Sequence, residues 1–284
     1  MRRLCSELRV RRPLGCVAIA VAALVTAGCA TLTVPEEQQL ADQFEAEIRR
    51  QHRLVTDRVI VRYIDAIGRR VVVAAGPQPF SYEFSVVDDP TINAFAGPAG
   101  MIYVHTGTIL AARNVSELAG VIAHEVGHVA ERHVAENYGK QRAAGIAHTA
   151  AVLGGGLLGG SVRANAANLA TGLGLAGVLN SFGREAEREA DDFAVHVLPR
   201  AGYDPNGLPS FFETLIAEGG PSGPAFLSSH PAPRDRLVTT RETIAALPPS
   251  GALRRDDGGK LEIIQRRIAL LTGESSPRSP DRRR

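Results

Sequence analysis

The stretch His124-Glu125-Val126-Gly127-His128 has the pattern H-E-x-x-H and lies in a run that predicts one helix over about residues 115–136. Residues four apart share one face of a helix, so His124 and His128 can direct both imidazoles to one point. Glu125 lies about 100° further around the helix, beside that point. Two imidazoles and a nearby carboxylate are what a catalytic zinc requires, as ligands and as a base for its water.

The sequence around this pentapeptide predicts a helix that turns ionisable groups toward the interior. The expected core-facing stripe has four apolar members at helical spacing: Leu118, Val121, Ile122 and Val129. Glu125 falls inside the stripe, and Asn114 or Ser116 supplies the N-cap. Ionisable groups on a buried face are costly unless something pairs them, and a metal ion does so. The alternative is a chance pentapeptide on an ordinary amphipathic helix.

Composition and charge describe a globular domain and exclude a nucleic-acid-binding one. The chain has 284 residues, of which 44% are hydrophobic and 22% are charged, as in a domain that builds its own core. Residues 1–28 contain five Arg and one Glu, so the formal charge falls from +2 for the whole chain to −2 without them. The sequence therefore contains no basic face that would indicate a nucleic-acid partner.

The first 28 residues predict an export signal. Arg-rich residues 2–12 precede an apolar run over residues 14–27, which is short for a membrane span. The run ends in Leu24-Val25-Thr26-Ala27-Gly28-Cys29 and resembles a bacterial lipoprotein signal, which implies cleavage before Cys29 and lipidation of its thiol. Thr26 departs from the large aliphatic residue usual at that position, so ordinary cleavage and an uncleaved anchor are the alternatives.

The other cysteines agree with export. Cys5 and Cys16 lie within the predicted signal, which leaves Cys29 as the one cysteine of the mature chain. Ala30 stands where an Asp would favour retention in the inner membrane, so the resemblance implies an outer-membrane lipoprotein that faces the periplasm. We expect a lipidated cysteine and linker at 29–35, one domain at 36–272 and a disordered tail at 273–284.

A small antiparallel sheet is predicted just before the H-E-x-x-H helix. Two helices fit residues 35–75, with a break near Val55-Thr56-Asp57. Four residues then alternate as on a half-buried strand: Phe80, Tyr82, Phe84 and Val86. Further extended runs at 92–96 and 101–105 flank a Gly/Pro loop at 97–100. The predicted fold class is α+β, mostly helical, with this sheet placed before the helix.

Residues 143–182 are low in complexity. They consist largely of Ala, Gly, Leu and Val, and Arg163 is the only charged residue between Arg142 and Arg184. Small residues permit two closely packed buried helices. The other interpretation is a mobile hairpin that lies over the site or touches the membrane or a partner. Both interpretations stay open.

The segment at 184–194 predicts a third metal ligand. It forms an amphipathic helix with Glu187 beside the buried stripe and Asp191 one turn on. A zinc ion held by two His needs a third protein ligand and an open position for water. Glu187 can supply that ligand, with Asp191 free to hydrogen-bond a ligand imidazole. Glu185 and Glu189 are interpreted instead as a solvated acidic face.

Three motifs in this order resemble those of the HtpX-like and Oma-type zinc metallopeptidases, which are gluzincins related to the CAAX prenyl proteases. They are H-E-V-G-H at 124–128, E-x-E-A-D at 187–191 and H-P-x-P-x-x-R at 230–236. The lipoprotein signal and the segment 90–100, which contains Asn93-Ala94-Phe95-Ala96, resemble the periplasmic branch of that family. The resemblance covers about residues 36–245 and implies a zincin-like metallopeptidase domain.

The resemblance implies a role for each matching residue. Three would bind one Zn²⁺ ion per chain: His124, His128 and Glu187. Glu125 would be the catalytic base, and Asp191 would support a ligand. His230 and Arg236 would lie near the site, with His230 as the candidate donor to the oxyanion. The strand Asn93, Ala94, Phe95 and Ala96 would bind an extended substrate as an added β-strand.

These assignments predict a zinc-dependent endopeptidase that degrades unfolded or misassembled envelope polypeptides, the last being a role implied by the family. The metzincin alternative fails because His133 lies nine residues after His124, where ten are required. A second alternative is an outer-membrane assembly factor or chaperone with a latent zinc site, which His230 would close by binding the metal. A purely structural zinc domain would leave Glu125 without a role.

Overall fold

The structure, a computed structural model, describes residues 31–142, 182–218, 225–231 and 233–273. Nearly all of these belong to one unit, Leu32–Tyr138 together with Leu175–Arg284. The predicted signal, Cys29, residues 143–181 of the Gly/Ala-rich segment and the tail after Gly273 lie outside the described residues. Within the described ranges, no helix combines the length and the apolar character that crossing a membrane requires.

Helices dominate the described chain, and three short strands interrupt them. The helices are α1 (Val34–Gln51), α2 (Arg58–Ala75), α3 (Thr106–Ala111), α4 (Val115–Ala130), α5 (Arg184–Arg200), α6 (Gly207–Glu218), α7 (Phe226–Ser229), α8 (Pro233–Ala245) and α9 (Lys260–Thr272). The strands are β1 (Glu83–Val87), β2 (Ala94–Ala96) and β3 (Met101–His105). A further helix begins at residue 133. The prediction of a mostly helical domain with a small sheet before α4 is confirmed.

Helix α4 carries the H-E-x-x-H pentapeptide through the centre of the domain. Asn114 caps it by accepting a hydrogen bond from the Glu117 amide at 3.0 Å. Helices α5 and α6 pack against α4, and so do α2 and strand β2. Every residue from Val115 to Val129 is buried as a result. The four apolar residues of the expected core-facing stripe are buried as predicted, and the remaining faces of the helix are buried as well, because neighbours cover all of them.

The sheet is mixed, which corrects the prediction of a wholly antiparallel one. Its strand order is β1-β3-β2, with β2 antiparallel to β3 but β1 parallel to β3. The loop after β1 crosses the end of β3, where the Asp89 carbonyl accepts from the Gly107 amide and the Asn93 carbonyl accepts from the His105 amide, both at 3.0 Å. The chain thereby reaches the far side of β3 before β2 begins.

Helix α8 is absent from the sequence-based expectations for a physical reason. Among its residues whose burial is described, two are buried: Arg236 and Thr240, which are four residues apart and both polar. A search for apolar periodicity does not detect a helix whose buried face is polar. The two N-terminal helices, which do have apolar periodicity, lie where the sequence places them, with the break before Asp57.

Asp57 links the start of helix α2 to the C-terminal helix α9. Its carboxylate accepts from the amides of Val59 and Ile60 at the start of α2, and from Arg267 of α9 at 2.8 and 2.7 Å. We expect Asp57→Ala to lower the free energy of unfolding by about 1–2 kcal/mol, because the helix loses its N-cap. Urea unfolding measures this change.

Asp65→Ala is the matched control, since Asp65 pairs only with Arg69 on the exposed face of the same helix; its expected change is below about 0.5 kcal/mol. The hydrogen bonds from Arg267 lower the pKa of Asp57 to about 2. Its contribution is therefore present above pH ~4 and lost as the pH falls toward 2. Equal stability of Asp57→Ala and wild type would contradict this assignment.

Candidate metal and catalytic centre

Four elements contribute side chains to one buried centre. Helix α4 supplies His124, Glu125 and His128, and the adjacent helix α5 supplies Glu187 and Asp191. The two remaining members are His230, which follows α7, and Arg236, which lies in the first turns of α8. All seven residues are at most 6% exposed. Residues separated by more than a hundred positions are thus brought together away from water.

A close approach of α4 and α5 makes this assembly geometrically attainable. A Cβ atom on Gly127 would lie 3.1 Å from both the Cα and the carbonyl oxygen of Ala190. The glycine inside H-E-x-x-H therefore meets the alanine inside the second motif, and the two helix backbones nearly touch. Glu187, one turn before Ala190, is carried by this contact to the histidines of α4.

Four side chains converge on a single point. One ligand atom from each of His124, His128, Glu187 and His230 lies within 4.8 Å of the others. The Nε2 atoms of the two α4 histidines are 3.0 Å apart, and each lies 3.5 Å from a Glu187 oxygen. His230 Nδ1 lies 2.9 Å from Glu187 Oε1 and 3.2 Å from His124 Nε2.

These separations fit a tetrahedral metal ion. Ligand atoms at about 2.0 Å from a common centre in tetrahedral geometry lie about 3.3 Å from one another. Both oxygens of Glu125 and Nε2 of His230 are buried without a hydrogen-bond partner, a costly arrangement unless a cation compensates it. Three imidazoles and one carboxylate also form a donor set suited to a divalent transition metal. The residues present fit a metal ion.

Arg236 and Asp191 hold one ligand in place. Arg236 donates two hydrogen bonds to Asp191, at 2.8 and 2.7 Å, and its Nη1 lies 2.6 Å from Glu187 Oε2. Asp191 Oδ1 in turn lies 2.9 Å from His124 Nδ1. The guanidinium stacks on Phe212, with its carbon 4.5 Å from the ring centre. The chain Arg236–Asp191–His124 therefore leaves Nε2 of His124 directed at the convergence point.

The electrostatic environment favours positive charge at this point. Burial and Arg236 act to lower the pKa of His124, but Asp191 and Glu187 outweigh them and raise it to about 9. The same two carboxylates would favour a metal cation in that position. Burial raises the pKa of Glu125, although His230 and His124 act against it. A raised pKa brings this carboxylate closer to the range of a general base that works near neutral pH.

His230 lies deeper in the centre than the sequence indicates. It was expected beside an open ligand position as a donor, whereas its Nδ1 occupies a corner of the ligand set. Its Nε2 lies 3.4 Å from Glu125 Oε1. In this conformation the ring of His230 would take the fourth position around a metal ion, and it also covers the carboxylate of Glu125. Its role as an oxyanion donor stays a prediction.

Two further residues reach the centre without any signal in the motifs. The ring of Phe182 stacks on His128 with the centroids 3.9 Å apart. His133, which is 3% exposed, places Nδ1 3.0 Å from His128 Nδ1. Phe182 lies at the end of the low-complexity segment, and His133 follows a change of chain direction, so neither position has a helical spacing to the motif that would reveal it.

The predicted substrate strand lies at the edge of the sheet. Strand β2 begins at Ala94, so Asn93 lies just before it. The three residues of β2 are buried. The Asn93 carbonyl and the Gly97 amide bond to β3, and by alternation the backbone groups of Ala94 and Ala96 point to the other edge. On that same side, the Ile92 carbonyl accepts a hydrogen bond from the Phe226 amide at 3.1 Å.

A buried H-E-x-x-H helix, a buried glutamate from a second helix beside its histidines and a mostly helical domain together define a metallopeptidase of the gluzincin type. The chain belongs to peptidase family M48, whose profile matches residues 61–244. The resemblance inferred from the three motifs is therefore confirmed at the level of the family.

Several curated proteins are similar to this chain. The beta-barrel assembly-enhancing protease of Escherichia coli is 32% identical over 225 residues, which cover 76% of this chain and 45% of that protein. The metalloprotease LoiP of Escherichia coli is 32% identical over 171 residues, 60% of this chain and 64% of that protein. The mitochondrial metalloendopeptidase OMA1 of Schizosaccharomyces pombe is 31% identical over 182 residues, 63% and 52% respectively. The chain spans about half the length of the curated relatives it matches.

Proposed function

We propose that this protein is a zinc-dependent endopeptidase of the bacterial cell envelope that degrades unfolded or misassembled envelope proteins. The observation that carries the proposal is the buried convergence of His124, His128 and Glu187 beside Glu125. A structural zinc site has no use for an additional buried carboxylate that lacks a hydrogen-bond partner. A hydrolytic site needs such a carboxylate, because it accepts the proton of the attacking water.

Each residue of the centre has a separate task in this proposal. When bound, zinc supplies a polarised water and a Lewis acid for the substrate carbonyl. Glu125 would accept a proton from the attacking water molecule and deliver it to the departing amine. Asp191, held by Arg236, keeps the His124 ring in the tautomer that presents Nε2. The apolar surroundings exclude bulk water and strengthen these interactions.

The conformation described corresponds to a closed state of the proposed enzyme. A catalytic zinc site keeps one position open, whereas four protein ligands describe a filled coordination shell. His230 would fill that position through Nδ1, and its Nε2 faces Glu125. Its ring also stacks on Phe226 at 4.4 Å, and its amide bonds to the Phe226 carbonyl at 2.8 Å. Activity therefore requires the segment that carries His230 to move away.

The same movement would expose the predicted substrate strand. The Phe226 amide, at the start of the segment that carries His230, bonds to the Ile92 carbonyl on the outward edge of the sheet. Displacing this segment would free the metal's fourth position and the edge that Ala94 and Ala96 continue. An extended polypeptide can pair its backbone with such an edge, which requires little of its side chains. Unfolded chains are substrates of this kind.

The location of the protein is a further part of the proposal. Residues 1–28 have the pattern of a lipoprotein signal with Cys29 as the acceptor. The Escherichia coli relative is named for assembly of β-barrels, which is consistent with clients in the envelope. We infer a periplasmic protein anchored by lipid in the outer membrane. Membership of a peptidase family does not favour the alternative of an assembly factor with an idle zinc site.

Glu125→Gln should abolish proteolysis and preserve the metal. We expect the turnover of an unfolded protein such as casein to fall by about 10²–10⁴-fold, because the general base is lost, while one zinc per chain is retained. Chelator treatment of the wild type should have the same effect on activity. Glu131→Gln, a change of an exposed glutamate just after the same helix, is the control. Equal activity of Glu125→Gln and wild type would contradict the proposed mechanism.

His230→Ala tests the closed state. Removing the imidazole opens the fourth position and uncovers Glu125, so hydrolysis of casein should increase several-fold relative to wild type. His196→Ala is the matched control, since His196 is half-exposed and pairs with Asp192 away from the centre. A loss of activity in His230→Ala, with zinc retained, would show instead that His230 acts as a donor during catalysis.

Cys29→Ala should separate the protein from the membrane. The variant lacks the predicted acceptor thiol, so labelled fatty acid should not be incorporated, and the chain should leave the outer-membrane fraction. Cys16→Ala, within the predicted signal, should still acquire lipid. Incorporation of the label into Cys29→Ala would contradict the assignment of the lipid site.

A further inference from the structure

His133 and Glu189 form a contact chain that leads from the surface to a metal ligand. His133 Nε2 lies 2.8 Å from Glu189 Oε2, and His133 Nδ1 lies 3.0 Å from Nδ1 of His128. His133 is buried, whereas the Glu189 side chain is 43% exposed. Neither residue belongs to the proposed ligand set or contacts Glu125. Among the described residues, the hydrogen-bond contact that links them to the centre is the one between His133 Nδ1 and the outward nitrogen of His128.

Proton placement along this chain follows from the chemistry of its groups. A carboxylate accepts hydrogen bonds, so His133 donates to Glu189 through Nε2–H. A neutral His133 then has a lone pair on Nδ1, and the contact at 3.0 Å requires His128 to donate through Nδ1–H. His128 is thereby left with its lone pair on Nε2, the atom that faces His124 and Glu187.

We propose that His133 and Glu189 are positioning residues that fix the tautomer and ring orientation of the metal ligand His128. The arrangement parallels the contact between Asp191 and His124, so each α4 ligand is oriented by a chain that ends in a carboxylate. The difference is the inserted imidazole, which carries the effect of Glu189 across the distance from α5. Groups of this kind strengthen metal binding without contacting the metal.

A specific turn brings His133 back to His128. Helix α4 ends at Ala130, and Arg132 adopts a left-handed backbone with φ of +63°. Such a backbone conformation is unfavourable for most residues other than glycine. Arg132 is held in it by an ion pair with the buried Glu37 of α1 at 3.0 Å and by a hydrogen bond to the Leu32 carbonyl. The placement of His133 is therefore specified by contacts outside the centre.

A simple surface ion pair does not account for this geometry. His196 and Asp192 form a surface ion pair within α5. Both side chains are about half-exposed, and His196 Nδ1 lies 3.5 Å from Asp192 Oδ2. His133 differs because it is buried and directs its second nitrogen to a ligand of the centre. Burial of an imidazole between two partners fixes its orientation, which a solvent-exposed pair does not do.

The experiment measures zinc affinity of the full chain by competition with a chelator, and it rests on the proposed metal centre. We expect His133→Phe to weaken zinc binding by about 10–100-fold and to change the visible spectrum of the Co²⁺-substituted protein. Glu189→Ala should weaken binding less, and Glu189→Gln, which keeps an acceptor, should recover part of the loss. Glu185→Ala, an exposed neighbour on the same helix, should bind zinc as wild type does.

The double variant distinguishes a relay from two independent effects. Because Glu189 acts through His133, adding Glu189→Ala to His133→Phe should change the affinity no further. Additive losses, or wild-type affinity in Glu189→Ala, would overturn the relay while the proposed centre stands. A folded wild type that binds no zinc would overturn both. Glu189 is partly exposed, so its variants decide the question even if His133→Phe fails to fold.

Discussion

Negative charge buried in the middle of the domain is the constraint on which the rest of the structure depends. Three carboxylates lie together there, those of Glu125, Glu187 and Asp191, and in the part of the chain that the structure describes one guanidinium, that of Arg236, accompanies them; all four residues are at most 6% exposed. Unless a histidine takes up a proton or a cation binds, this leaves a formal charge of −2, which is costly in a medium of low dielectric constant. A divalent cation cancels that charge and satisfies the converging nitrogens at once.

The surrounding helices and turns keep these charged groups buried, although hydration would favour their exposure to water. The contact of Gly127 with Ala190 brings two helix backbones close enough for Glu187 to reach the histidines of α4. Helix α8 turns a polar face inward so that Arg236 can bind two carboxylates. The left-handed turn at Arg132 returns the chain toward His128. In each of these elements a locally unfavourable arrangement places a side chain at the centre.

Local spacing and motif order made much of the site predictable, and long-range packing explains what they missed. His124, Glu125 and His128 follow from helical geometry, and Glu187 from the need for a third ligand. Alternation along a strand carries no information about its pairing direction, so the parallel β1–β3 pair was not predictable. The depth of His230 and the return of His133 depend on turns whose outcome is decided by distant contacts.

The central claim is that three imidazoles and one carboxylate surround a single metal ion in the resting protein. Zinc-edge X-ray absorption on the purified, zinc-loaded chain measures that coordination directly. We expect four nitrogen or oxygen ligands at about 2.0 Å, with scattering from three imidazoles, of which His230 supplies the third. Two imidazoles with a water ligand would contradict the closed state. A chain that binds no zinc would contradict the metal centre itself.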